Sequence, residues 1–236
     1  MGKLFVVGVG SGNHDDITIK ADKILNHVEL IYSDDKIAEK LKPFFGDKLV
    51  KNEYKKTIER CENAINSAKL GKNVAITGSG DTGVYGIASI IIGMAEDNSI
   101  DLKIIPGVTS AISGAALLGA PIINDFAVIS LSSNLSNKED MKKRLIAAAT
   151  TDLNLVLYSP NNKEKSNLLY AKEILLSYLD GNTKVGIVSN IGNNNQQVLL
   201  KTLEDLSDDI DENSTIFVGN TKTIFTKTKK MTTELY

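Results

Sequence analysis

The chain has 236 residues, a formal net charge of −2, and 42% hydrophobic and 24% charged residues, ordinary values for a globular protein in water. The near-neutral balance argues against a broad basic face for nucleic acid. One cysteine, Cys61, and two histidines, His14 and His27, exclude an internal disulfide and a structural zinc cluster.

From the N-terminus, Leu4 to Val9 reads as a buried strand ending in glycines. Asp15 or Asp16 is positioned to cap a helix whose apolar residues Ile17, Ala21, Ile24, Leu25 and Val28 recur at helical spacing. Leu30 to Tyr32 is a short strand. Tyr54 to Leu70 is a helix carrying Cys61 on its apolar face, with Gly71 at the C′ position. Asn73 to Thr77 is a strand, followed by a Gly-rich turn and a helix from Val84 to Ala95. Leu102 to Ile105 is a strand stopped by Pro106-Gly107, and a small-residue helix runs from Thr109 to Leu118.

Gly119-Ala120-Pro121 then breaks the chain and its texture changes. Strands are expected at Phe126 to Leu131, Asn154 to Tyr158 and Lys184 to Ser189, with helices at Asp140 to Thr150 and Leu168 to Leu179. Asn193 to Gln197 reads as a polar hairpin turn. The runs at Val198 to Leu200, Thr215 to Val218 and Thr223 to Phe225 suggest antiparallel strands. Strands alternating with helices mean an α/β protein. The break near residue 119 suggests two domains, 1–118 mostly parallel and 119–236 mixed. The longest apolar stretches, such as Ile87 to Ala95, fall short of the roughly 18 residues of a membrane span. The N-terminus shows no signal-peptide pattern. The expectation is a cytoplasmic protein with neither membrane nor nucleic-acid partners.

Three turns stand between a strand and a helix. Gly8-Val9-Gly10-Ser11-Gly12 resembles a dinucleotide loop, but Asn13 stands where that fingerprint has its third glycine, and no strand-end acid for a ribose is evident about 20 residues on. The second turn, Thr77 to Gly86, holds Gly78, Gly80, Gly83 and Gly86; Asp81 or Thr82 is available as a helix cap. The third is Ile105-Pro106-Gly107-Val108-Thr109-Ser110. Three such turns at strand carboxyl ends point to a cleft there. None contains a Walker-type motif, a lysine or an arginine. An acid, hydroxyls and backbone without a cation suit a neutral or positively charged ligand, such as a sulfonium.

These three motifs, in this order, resemble the tetrapyrrole (corrin/porphyrin) methylase family over essentially the full length. Asp125 to Ser132, Lys143-Arg144-Leu145, Leu157-Tyr158-Ser159-Pro160 and Val218-Gly219-Asn220 look most like its precorrin-3B or cobalt-factor III branch, which acts at carbon 17. The resemblance implies two α/β domains, commonly in homodimers, with S-adenosylmethionine in a cleft between the domains and S-adenosylhomocysteine as its product. The matching donor positions are Gly8, Gly10, Gly12, Gly80, Asp81, Thr82, Val84, Tyr85, Gly86, Thr109 and Ser110, with Tyr158, Ser159, Asn190 and Gly192 from the second domain. Ser11 and Thr82 stand where the family usually has proline. In this branch, methylation accompanies contraction of the macrocycle during cobalamin synthesis.

Methyl transfer from a sulfonium is an in-line displacement that needs positioning rather than a metal or a protein nucleophile. Ring contraction adds proton transfers, for which Asp81 and His14 are the candidates. A tetrapyrrole, with or without cobalt, needs cations at its carboxylate rim. Lys163 and Lys165 rank above Lys138, Lys142, Lys143 and Arg144 for that role, and Ser132 is a further substrate position. Other family substrates (cobalt-precorrin-4, uroporphyrinogen III), a non-catalytic donor-binding protein and a nicotinamide oxidoreductase are the alternatives.

Overall fold

The computed structural model describes residues 2–52, 56–96, 100–133, 135, 137–160 and 167–234. The chain divides into two compact units, Met1–Thr109 and Ser110–Tyr236.

The first unit runs β1 (Lys3–Gly8), α1 (Ile19–His27), β2 (Leu30–Asp34), α2 (Asp35–Phe45), β3 (Leu49–Asn52), α3 (Thr57–Lys69), β4 (Val74–Gly78), α4 (Ala88–Met94) and β5 (Asp101–Ile105). Its five strands are all parallel, in the order β3-β2-β4-β1-β5. Alternate residues serve opposite faces of the sheet, as pleating requires. Leu4, Val6, Val74 and Ile76 pack under α3 and α4 through Ala64, Ala68, Ala88 and Ile91. Val7, Ile31 and Ala75 pack under α1 and α2 through Ala21, Leu25, Ile37 and Leu41.

Two elements, α2 and β3, occupy the stretch between Tyr32 and Tyr54, where none is expected from the sequence. Ile37, Ala38, Leu41 and Phe45 form the buried face of α2. Lysines on its outer face and Pro43 in its last turn mask that stripe. The cap of α1 is Thr18, whose side chain accepts from the Ala21 amide at 3.2 Å. Asp15 and Asp16, expected there, lie in a short 3₁₀ turn before it.

The second unit runs α5 (Ser110–Leu118), β6 (Gly119–Ala120), β7 (Phe126–Ser130), α6 (Lys138–Thr150), β8 (Asn154–Tyr158), α7 (Asn167–Leu176), β9 (Lys184–Ser189), β10 (Gln197–Thr202), β11 (Ser214–Val218), β12 (Thr223–Phe225) and β13 (Met231–Thr233). Its main sheet has the order β10-β9-β11-β8-β7. Only β7 and β8 pair in parallel; the other pairs are antiparallel. Helix α5 belongs to this unit because Ala111, Ala115 and Leu118 pack against Val156, Val188 and Phe217. The Gly119 break therefore falls inside the unit, one helix after its start. The polar Asn193 to Gln196 turn joins the antiparallel strands β9 and β10, with the Gln196 amide on the Asn193 carbonyl at 3.0 Å.

A small sheet, β12-β13-β6, completes the unit. There the Thr233 hydroxyl reaches the Pro121 carbonyl at 2.9 Å, the Asn154 side-chain oxygen at 3.2 Å and the Thr223 hydroxyl at 2.8 Å.

Leu145 is fully buried between α6 and the second sheet. Leu145→Ala is expected to lower stability by about 2–5 kcal/mol, because the site loses apolar contact and keeps a cavity. A urea titration followed by circular dichroism measures that loss.

Candidate functional site

In the first unit, β1 and β4 are neighbours with Gly8 level with Gly78. The helix that follows β1 lies on one face of the sheet, and the helix that follows β4 lies on the other. The loops leaving these two strands thus diverge at a topological switch point, where open α/β sheets form a crevice. The loop after β5 leaves the same edge on the other side of β1, with Val7 level with Ile105.

The three loops are joined by backbone. Gly10 and Gly80 form a two-bond antiparallel bridge, with N–O distances of 3.1 and 2.7 Å. A methyl group placed on Gly107 would lie 2.2 Å from the Gly80 carbonyl oxygen, and one on Gly8 would lie 2.6 Å from the Gly107 nitrogen. No residue with a side chain fits either position without moving main chain. The Asp81 carboxylate braces the second loop internally and ties it to the third, accepting from the Gly83 amide at 2.7 Å and the Gly107 amide at 2.9 Å. It caps no helix: α4 starts at Ala88, and its N-cap, Ile87, makes no side-chain cap bond. Nor does Thr82 cap it. The Thr82 carbonyl accepts from Ala88 at 3.0 Å, while its hydroxyl is buried with no partner among the described residues. Both Asp81 oxygens hold amides, so the geometry gives this residue a clamping role.

Sequence reasoning leaves these loops without a cation, yet α2 brings one. The Lys40 ammonium donates to the Ser11 carbonyl at 2.5 Å, and its stem lies against Gly12. Partial burial lowers the Lys40 pKa, and nearby Asp16 offsets that in part. Asp16 also bonds the Ser11 hydroxyl. Ser11 is therefore pinned by side-chain bonds at the position where proline would stiffen the turn. The His14 ring stacks on Phe44 with centroids 4.2 Å apart, and its Nε2 faces Asp22 at 3.2 Å. Those contacts make it a clasp between the loop and α1 and α2. His27 Nδ1 lies 2.6 Å from the Lys23 carbonyl, within its own helix.

The expected positions Gly8, Gly10, Gly12, Gly80, Asp81, Thr82, Val84, Tyr85, Gly86 and Thr109 all fall on this one edge. In the second unit, Leu157 and Ile187 pair with the same residue, Ile216, so β8 and β9 end level with each other. Ser159 and Asn190 follow those strands at that end, and Ser130, two residues before Ser132, is level with Tyr158. The Tyr158 hydroxyl accepts from the Ala111 amide at 2.7 Å, which brings Ser110 and the start of α5 to the same end. The Asn190 amide group donates to Asp211 at 2.9 Å, and the Gly192 amide is held by Gln196 at 2.9 Å. Lys163 and Lys165 lie outside the described residues. Lys142, Lys143 and Arg144 are exposed on α6; Lys143 lies 3.9 Å from Glu139, and Lys138 lies over the Tyr170 ring.

The sequence pattern of the tetrapyrrole (corrin/porphyrin) methylases matches residues 3–207. The chain belongs to that family. A probable cobalt-factor III C(17)-methyltransferase of Salmonella typhimurium is 34% identical over 93% of this chain and 93% of that one. A protein of the same description from Methanocaldococcus jannaschii is 36% identical over 99% of this chain and 97% of that one. The crystal structure of the methyltransferase CobJ superposes with a TM-score of 0.92 at 26% identity, covering 99% of this chain and 100% of that one.

This methylase holds five described non-glycine residues in left-handed backbone, and three of them, Tyr85, Ser159 and Asn190 (φ +53°, +52° and +52°), are positions that the family resemblance marks for the donor. Such conformations cost energy and concentrate at ligand sites. They leave no mark in composition or periodicity. Lys40 was likewise hidden, because its helix was. The nicotinamide alternative meets a topological obstacle. Strand β2 does end in an acid, Asp34, but β4 separates β2 from β1, and Asp34 caps α2 through the Ile37 amide at 3.1 Å.

Gly107→Ala is expected to force the joined loops apart, at about 1–3 kcal/mol of stability. Amide hydrogen exchange at Gly10 and Gly80 should accelerate in step. Unchanged protection at both amides would show that the loops do not depend on one another.

Proposed function

We propose that this chain transfers a methyl group from S-adenosylmethionine to carbon 17 of cobalt-factor III, or of precorrin-3B, with contraction of the macrocycle in corrin synthesis. The observation that carries the reading is the fused loop set at the switch point of the first sheet, in a chain that matches C(17)-methyltransferases over nearly its whole length.

The residues present fit a sulfonium donor. The loops present glycine backbone, the Tyr85 ring and hydroxyls; the Lys40 ammonium is held on the Ser11 carbonyl, and the Asp81 carboxylate on two amides. When bound, the donor supplies an electrophilic methyl carbon. The chain's own part is positional. Backbone bonds between Gly10 and Gly80, and the Asp81 clamp on Gly107, fix the crevice before any ligand arrives, so little ordering entropy remains for the bound state. Holding the acceptor carbon about 3–3.5 Å from the methyl, in line with the breaking bond, then supplies most of the acceleration.

For the proton transfers of ring contraction, neither candidate base is free: Asp81 accepts two amide bonds and His14 Nε2 faces Asp22. We assign both to loop geometry rather than to proton transfer. In this reading Ser132 is a macrocycle position, and Tyr158, Ser159, Asn190 and Gly192, at one end of the second sheet, are donor positions. Val198 and Leu199 are exposed on the edge strand β10 and offer apolar surface for a homodimer. Among the described residues no helix is long and apolar enough to cross a membrane, and we take the enzyme to work in the cytoplasm.

Incubation with the donor and cobalt-factor III is expected to yield a product heavier by one methyl group by mass spectrometry. Cobalt-precorrin-4 and uroporphyrinogen III serve as competing substrates. Donor binding without methylation of any of the three would reduce the chain to a donor-binding protein. Asp81→Ala frees the Gly83 and Gly107 amides and should weaken S-adenosylhomocysteine about tenfold, equivalent to about 1.4 kcal/mol. Calorimetry reads this directly, and an unchanged affinity would remove Asp81 from the site.

A further inference from the structure

Of the two arginines in the chain, Arg144 is exposed on α6 and Arg60 is only 3% exposed. The Arg60 Nε and Nη1 atoms are buried and have no hydrogen-bond partner among the described residues. Those two atoms carry three N–H donors on a group that stays charged at every physiological pH. A desolvated guanidinium with unused donors is a costly arrangement unless an anion completes it.

Its place in the fold indicates which anion. Arg60 lies in the first turn of α3, which packs on β4, β1 and β2. The other end of α3 lies at the amino edge of the sheet, where a methyl on Gly2 would strike the Ala68 carbonyl. From Ala68 back to Arg60 the helix climbs about 12 Å, and β4 rises about 13 Å from Val74 to Gly78. Gly2 is level with Lys72 in the β1–β4 register, so the Arg60 backbone is level with about Ile76. A long side chain leaning toward the helix start reaches from there toward the carboxyl end of β4, where the second loop begins. Thr82 stands over that same strand end and on the same face, because a methyl on Gly78 would touch Thr82 Cγ2 at 3.0 Å and Ile87 at 3.7 Å, and Ile87 packs into the α3–α4 core. Its buried hydroxyl is the second polar group there without a partner. Both orphaned groups thus lie on the α3–α4 face of the first sheet, toward the edge that carries the loops of the proposed methyl donor. Among the described residues no acid forms an ion pair with Arg60, and Glu59, next to it, lies 3.8 Å from Lys56.

We propose that Arg60 is a carboxylate-binding residue: its guanidinium receives a carboxylate of a ligand bound at this edge, with the Thr82 hydroxyl as a further donor. The inference rests on the functional reading above, which supplies two sources of that one chemistry, the amino-acid end of the donor and the acidic rim of the tetrapyrrole. A ligand carboxylate gives the buried charge its partner and the idle N–H groups their acceptors.

Wild type, Arg60→Met and Arg60→Lys are titrated with S-adenosylhomocysteine by calorimetry and with uroporphyrin III by fluorescence, and each is melted thermally. Arg60→Met should weaken one ligand by about 30-fold or more, the usual consequence of removing one member of a buried charged pair, and leave the other within about twofold. Its melting temperature should hold or rise, because the ligand-free protein sheds a desolvated charge. Selective loss of S-adenosylhomocysteine, with 5′-methylthioadenosine (which lacks the carboxylate) binding both forms equally, assigns the donor carboxylate. Selective loss of uroporphyrin III assigns the macrocycle rim. Unchanged affinity for both ligands overturns the proposal and leaves the methyltransferase reading intact. If Arg60→Met fails to fold, Arg60→Lys decides: it keeps the charge without the planar donors and must still weaken one ligand selectively, and two unchanged affinities overturn the proposal. A wild type that binds neither ligand overturns the functional reading together with it.

Discussion

Main chain touching main chain is the constraint from which the rest of this site follows. Three loops leave the carboxyl edge of the first sheet and approach so closely that Gly8 and Gly107 have no room for even a methyl group. The Gly10–Gly80 bridge and the Asp81 clamp exploit that proximity. Glycine costs chain entropy wherever it is ordered, and here the cost is met three times at one edge. The return is a crevice whose walls are already in place, bordered by glycine backbone and hydroxyls, with the Lys40 ammonium engaged on the Ser11 carbonyl.

Sheet order decides what such a crevice is for. A glycine loop after the first strand is common to several nucleotide-binding folds. In this chain β4 inserts between β1 and β2, so the acid that ends β2 is carried away from the glycine loop and spends itself capping α2. The same residues in a different strand order would present a ribose partner. Topology, more than motif, separates the methylase from a dinucleotide enzyme.

Much of this was legible in the sequence. The alternation of strands and helices, the parallel character of the first half and the mixed sheet of the second all follow from periodicity and from Gly-Pro punctuation. The loops were visible because glycine density is a one-dimensional signal. Other features depend on three-dimensional proximity. The α2 stripe of Ile37, Ala38, Leu41 and Phe45 is diluted by lysines and followed by Pro43 and Phe44, so the helix and its Lys40 contact with Ser11 did not register. Asp81 looked like a cap because acids often precede helices, but the turn continues to Ile87 and its carboxylate faces the neighbouring loop instead. The solitary guanidinium of Arg60 was hidden for the same reason: burial is a property of the fold.

The small sheet that ends the second unit bears on how the protein is made. Strand β13 lies parallel to β6, more than a hundred residues earlier in the chain, and Thr233 knots Pro121, Asn154 and Thr223 together. A ribosome delivers β13 after every other described strand of the second unit. The first unit has every one of its strands once Ile105 has emerged, so it is able to fold while the remainder is still being translated. The second stays unlaced until β13 arrives, and loss of that strand would strip it of its closing stitch while sparing the earlier half.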